Sequence, residues 1–241
     1  MRNCSKNTTH RVNPQSLFCP ECRAPVEEGG SQPTQPLPPT MVPQSVPYSP
    51  PFRLVIDKTG SMEKINLAVA NTIGLALDEG AKLGVNLTPG VIFVRDLKEH
   101  GSKGLVDMGY LDISAAKQAI ANEPCIGNST HDESQLDAIK AAIEGPWPGL
   151  KPGKARCIVL TTNSGTHDPT EDGTTSDGVV VLAQKTGARI FIIGPGKDPI
   201  YKKLCDGTGG ILWDVDRMTA EMYVSVMKML GKTITQLAVA G

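Results

Sequence analysis

A chain of 241 residues with a formal net charge of −1 has room for one ordinary domain and an appendage, and gives no electrostatic case for nucleic acid or an anionic membrane. No apolar run approaches a membrane span, and the polar start MRNCSKNTTHRVN lacks the apolar stretch of a secretion signal, so the expectation is a cytoplasmic protein without a membrane partner. Aromatic residues are only 4% of the chain, which implies a core of Ile, Val, Leu and Ala, as in a helix-covered parallel sheet.

Three of the six cysteines fall in the first 22 residues, a pattern that suits a metal site in a reducing compartment better than a disulfide framework. Cys4, His10, Cys19 and Cys22 read as C-x5-H-x8-C-x2-C. The Cys19-Pro20-Glu21-Cys22 turn puts two thiolates on one tetrahedral zinc, and residues 1–26 resemble a zinc ribbon whose second ligand pair is irregular. Such a site would be closed and structural, serving as the core of a segment too short to fold otherwise. Its four basic residues, Arg2, Lys6, Arg11 and Arg23, make a weak case for nucleic acid. Residues 27–51 form a Pro-rich linker, read as a spacer.

The stretch FRLVIDKTGSM, Phe52 to Met62, carries the chemistry. A short apolar strand ends on Asp57 and passes at once into a loop with Thr59 and Ser61, at the sheet edge where open α/β proteins bind ligands. Ile65, Ala68, Val69, Thr72, Ile73, Ala76 and Leu77 then follow a helical stripe. Asp57, Thr59 and Ser61 alternate along the loop, so their oxygens can face one point, a donor set that selects Mg²⁺, Mn²⁺ or Ca²⁺. This D-x-T-x-S pattern resembles the metal-ion-dependent adhesion site of von Willebrand factor A (vWA) domains, usually D-x-S-x-S. DKTG also resembles the phosphorylated-aspartate signature of P-type ATPases and haloacid-dehalogenase-like enzymes, in which the Asp is a nucleophile. A plain helix cap by Thr59 or Ser61 is the structural alternative.

Thr88-Pro89-Gly90 reads as a break before a strand at 91–96, and Leu105 to Tyr110 as its antiparallel edge neighbour. A short helix over 113–121 leads to a loop at 125–133 and a helix carrying Leu136, Ile139, Ala142 and Ile143. The apolar strand Cys157 to Leu160 ends in Thr161-Thr162-Asn163-Ser164-Gly165, and a polar loop precedes a helix over 178–186. A strand at 189–193, a short helix over 199–205, a last strand at 211–215 and a helix over 219–230 close the domain, leaving 233–241 as a tail. Strands alternating with helices predict a doubly wound, mostly parallel sheet with helices on both faces.

From residue 52 to 232 this order is similar to a vWA domain. Glu133-Ser134-Gln135-Leu136-Asp137-Ala138-Ile139 resembles the helix after the family's second metal loop, a register that puts Thr130 at the second-loop ligand position. RIFIIGPG and the Thr208-Gly209-Gly210 turn resemble the family's last strands. The third loop departs: Thr162 stands where the family's LLTDG motif has its Asp, so one negative charge is missing, and Asp168 or Asp172 is the expected compensation. His131 and His167 flank the site and read as solvated.

The resemblance implies a non-enzymatic cytoplasmic interaction module, with Mg²⁺ or Mn²⁺ held by Asp57, Thr59, Ser61, Thr130 and Thr162, and zinc by Cys4, His10, Cys19 and Cys22. A partner protein's Asp or Glu carboxylate would complete the Mg-type site. By analogy, the partner belongs to a kinase, phosphatase or ATPase assembly. The alternative is an aspartyl-phosphate enzyme with Asp57 as nucleophile, drafting Thr162, Asn163, Lys197, Asp214 and Asp216 into its remaining roles.

Overall fold

In the computed structural model the sheet order runs outward from the strand that ends on Asp57. Residues 2–4, 7–12, 48–127 and 132–239 are described, and the chain divides into two units, 1–46 and 47–241. In the first unit, β1 (Arg2–Cys4) pairs antiparallel with β2 (Asn7–Val12). Cys4 ends β1 and His10 lies in β2; Cys19, Cys22 and residues 27–47 of the linker expected over 27–51 lie outside the described residues, and Pro51, expected as its last residue, begins the first strand of the second unit.

The second unit holds β3 (Pro51–Asp57), β4 (Thr88–Val94), β5 (Leu105–Tyr110), β7 (Arg156–Thr161), β9 (Ala188–Gly194) and β10 (Leu212–Asp214), with β6 (Asp132–Glu133) and β8 (Gly165–Thr166) forming a separate two-residue parallel ladder. The six-stranded sheet has the order β10-β9-β7-β3-β4-β5, and only β5 is antiparallel to its neighbour. Chain order leaves β3 in both directions, through β4 to one edge and through β7 to the other. That reversal is the topological switch point, and it lies between β3 and β7.

Side chains alternate strictly between two layers. Leu54, Ile56, Val91, Phe93, Cys157, Val159, Phe191 and Ile193 pack under α1 (Glu63–Lys82), α3 (Ile113–Asn122) and α7 (Ala220–Val239). Val55, Ile92, Val94, Ile158, Leu160, Ile190 and Ile192 pack under α4 (Gln135–Glu144), α5 (Ser176–Thr186) and α6 (Pro199–Thr208). Among the described residues the expected doubly wound architecture is therefore present.

Two stretches behave differently from their sequence signals. Thr88-Pro89-Gly90 is the start of β4, not a break before it. Pro89 sits near the strand's beginning, and Gly90 lies opposite Arg53, where an added Cβ would come within 2.9 Å of the Arg53 Cδ. The buried Arg53 in turn donates to Asp107 Oδ1 at 2.7 Å and stacks 4.6 Å from the Tyr110 ring centre. The segment expected as a tail, 233–241, is helical through Val239, because Leu230, Ile234 and Ala238 continue the buried stripe of α7.

Helices α1 and α7 approach closely at Gly231, where a Cβ would stand 2.1 Å from the Ala76 carbonyl oxygen. Gly231→Ala is expected to lower unfolding stability by about 1–3 kcal/mol through overpacking, as read by urea denaturation. An unchanged midpoint would mean that the two helices are not held at this separation.

Candidate functional site

The period of two that sorts the core also aims the site. Val55 and Asp57 on β3, and Leu160 and Thr162 on and just past β7, share the face covered by α4. Asp57 is fully buried, so its carboxylate must find partners within the protein. Oδ1 accepts from the Thr59 backbone N–H at 2.8 Å and the Thr59 hydroxyl at 2.7 Å. Oδ2 accepts from the Thr162 hydroxyl at 2.6 Å and from Gln135 Nε2 at 3.2 Å. The more exposed Ser61 Oγ lies 3.3 Å from Thr59 Oγ1 and donates to Asn163 Oδ1 at 2.9 Å. Four of the five expected ligands of the Mg-type site, Asp57, Thr59, Ser61 and Thr162, thus meet at the switch point. Thr130 lies outside the described residues.

A second carboxyl group enters from the side. The β6–β8 ladder pins Glu133 beside the loop that follows β7, with the His167 N–H donating to the Glu133 carbonyl at 2.7 Å. Thr166 completes the anchor: its hydroxyl donates to the Glu133 carbonyl at 3.2 Å and accepts from the Leu136 N–H at 2.8 Å, at the start of α4. Glu133 is fully buried, and its Oε2 accepts from Gln135 Nε2 at 2.7 Å while Oε1 has no hydrogen-bond partner. Burial first, and then the negative charge of Asp57, push the Glu133 carboxyl up to about 8.

Lys58 points the other way. It is buried, donates to Asn66 Oδ1 of α1 and to the Ile120 and Glu123 carbonyls at the end of α3, and lies 5.2 Å from the Phe93 ring centre. Desolvation pushes this ammonium down to about 8. Its own carbonyl accepts from the Ile126 N–H at 3.0 Å, which ties the chain leading into the second loop directly to the first.

The residues expected to replace the missing charge lie elsewhere. Asp168 accepts from the Ser176 N–H at 3.0 Å and the Ser176 hydroxyl at 2.5 Å, serving the start of α5. Asp172 accepts from Thr170, Thr174 and Lys140. The second carboxyl group that reaches the Asp57 cluster is that of Glu133, which the sequence marked only as the start of a helix. His167 is mostly enclosed, with Nε2 3.5 Å from Asp96 Oδ1 and Nδ1 3.3 Å from Lys98 Nζ.

Of the residues drafted for an aspartyl-phosphate site, Thr162 and Asn163 are bonded into the Asp57 cluster, through Asp57 and Ser61, and Lys197, Asp214 and Asp216 are not. Both oxygens of Asp57 are occupied and enclosed. Asp214 stands on β10, three strands from β3, bonded to the Gly196 N–H and to Arg217; Lys197 and Asp216 are exposed. Among the described residues no group of three or more His, Cys, Asp or Glu side chains could hold a metal ion by itself. The convergent atoms are instead hydroxyl and carboxyl oxygens, the donors that suit a hard cation with few charged ligands.

No protein-family model matches the sequence, and neither does any curated protein. Among solved structures, the VWA domain of SpRpn10 matches with a TM-score of 0.53 at 14% identity, covering 74% of this chain and 95% of that one. Proximal thread matrix protein 1 from the mussel byssus gives 0.54 at 14% identity over 78% of this chain and 47% of its own. The pilus adhesin SpaC of Lactobacillus rhamnosus GG, in an open conformation, gives 0.50 at 14% identity over 81% and 31%. The chain spans less than half the length of either of the last two. Identity this low speaks for the fold alone: the larger unit has a vWA-like α/β fold.

Proposed function

We propose that the larger unit is a protein-interaction module that captures a partner's Asp or Glu carboxylate through a Mg²⁺ or Mn²⁺ ion. Asp57, Thr59, Ser61, Thr162 and Glu133 would hold the ion, joined by Thr130. The supporting observation is the convergence of these oxygens around a fully buried Glu133 whose Oε1 has no partner. A buried, unpartnered carboxyl oxygen costs free energy that a ligand can recover.

Asp57 acts as the orienting residue. By accepting the protons of both Thr59 and Thr162, it leaves those hydroxyls as acceptors toward their other neighbours; Thr162 Oγ1 accepts from the Ser164 N–H at 3.0 Å, a contact an ion would have to share. Once its proton has left, Glu133 would supply the negative charge lost where Thr162 replaces an acid, giving the site two carboxyl groups. A bound ion would supply Lewis acidity toward a partner's carboxylate oxygen, with Ser61 an exposed member of the set. Lys58 holds the first loop against α1 and the end of α3. Residues 1–26 complete the reading as a separate structural zinc module on Cys4, His10, Cys19 and Cys22. Among the described residues no helix is long and apolar enough to cross a membrane; a cytoplasmic interaction role remains part of the proposal.

Titration of Mg²⁺ into chelator-treated protein by calorimetry is expected to show binding that Asp57→Ala abolishes and Glu133→Gln weakens about 10–100-fold, with far-UV circular dichroism unchanged. Undiminished binding by Asp57→Ala would remove the site. Thr162→Asp is expected to tighten Mg²⁺ binding by adding a charged ligand, and to lower Tm in chelator, because a third carboxylate then crowds Asp57 and Glu133. Looser binding by that variant would show that the hydroxyl is the preferred donor.

Proton competition gives a pH signature. The Glu133 proton must leave before the ion enters, so affinity should rise with pH and level off above about 8. In chelator the sign reverses. The folded state holds this proton more tightly than the unfolded chain does, so Tm should fall as pH rises from the ordinary glutamate range to about 8. Glu133→Gln should flatten both profiles; profiles unchanged in that variant would assign them to another group.

A further inference from the structure

Gln135, the first residue of α4, is fully buried with its amide at the middle of the donor set. Nε2 lies 2.7 Å from Glu133 Oε2, 3.2 Å from Asp57 Oδ2 and 3.3 Å from Thr162 Oγ1. The neighbours fix which end of the amide faces them. Two carboxyl oxygens are acceptors, and the Thr162 hydroxyl already commits its proton to Asp57 Oδ2, so the nitrogen belongs here. The other end, Oε1, is buried without a partner.

A side chain that leaves its own carbonyl unsatisfied in order to bridge two carboxyl groups has the electrostatic role of a cation. We propose that Gln135 is a built-in competitor for the metal. Its two N–H groups hold Asp57 and Glu133 together when no ion is present, and the ion enters by displacing them. N–H hydrogens directed at the centre oppose a positive charge there, so the amide must move for the site to load. This amide therefore sets the affinity: the domain stays folded without metal, and the ion is exchangeable rather than permanent. The inference rests on the metal reading of the same site and adds the residue that tunes it.

The test compares wild type with Gln135→Met, which keeps the length and packing of the side chain but removes both donors, and with Gln135→Ala, which vacates the position. Each protein is stripped with chelator, checked by far-UV circular dichroism, melted in chelator, and titrated with Mg²⁺ and Mn²⁺ by calorimetry. Both variants should melt several degrees below wild type in chelator and bind the ion about tenfold more tightly, with a larger metal-induced rise in Tm. Unchanged affinity in a folded variant would overturn the proposal. Weaker affinity would also overturn it, because Gln135 would then be a ligand through Oε1. If wild type, both variants and Thr162→Asp all bind neither ion, the metal reading itself fails and takes this inference with it.

Discussion

One buried carboxylate shared by two hydroxyls organises the functional end of this fold. Asp57 is fully buried, and each of its oxygens takes a threonine hydroxyl, one from its own loop and one from just past the end of the neighbouring strand. This pairing joins the ends of β3 and β7, the two strands between which the sheet reverses direction. A crevice opens at such a point because the connections leave in opposite directions on either side. The contacts that satisfy the buried acid therefore also tie the two strand ends together and gather hydroxyl and carboxyl oxygens at that point.

The amount legible in the sequence follows the range of the interaction that decides each feature. Leu54-Val55-Ile56 ending on Asp57 marks a central strand because its apolar run is local, and the i, i+3, i+4 stripe from Ile65 to Leu77 marks α1 for the same reason. Thr59 and Ser61 are also local, since alternation in a short loop suffices to place them near the acid. Thr162 could be placed only through the strand order, which the alternation of strands and helices made accessible. Pro89-Gly90 was misleading because its meaning is set across the sheet, where Arg53 needs the space beside a glycine.

Glu133 was hidden for a related reason. Its side chain is aimed by the two-residue β6–β8 ladder, an element too short to carry any periodic signal, together with the Thr166 anchor 33 residues away. Asp168 and Asp172 looked equally suitable in the sequence, but both are consumed by nearby loop groups: Ser176 takes the first, and Thr170, Thr174 and Lys140 take the second. Loop acids next to serines and threonines commonly serve their own turns. The acid that reaches the centre is the one that has no such local partner for Oε1.

The most direct test of the central claim is the position of a bound ion, read from anomalous scattering of crystals grown with Mn²⁺. A single peak in the larger unit, enclosed by Asp57, Thr59, Ser61, Thr162 and Glu133 with the Gln135 amide turned aside, is the result predicted. Crystals saturated with Mn²⁺ that show no peak there, with Thr162 and Gln135 still bonded to Asp57, would contradict it and leave the cluster a metal-free hydrogen-bond network.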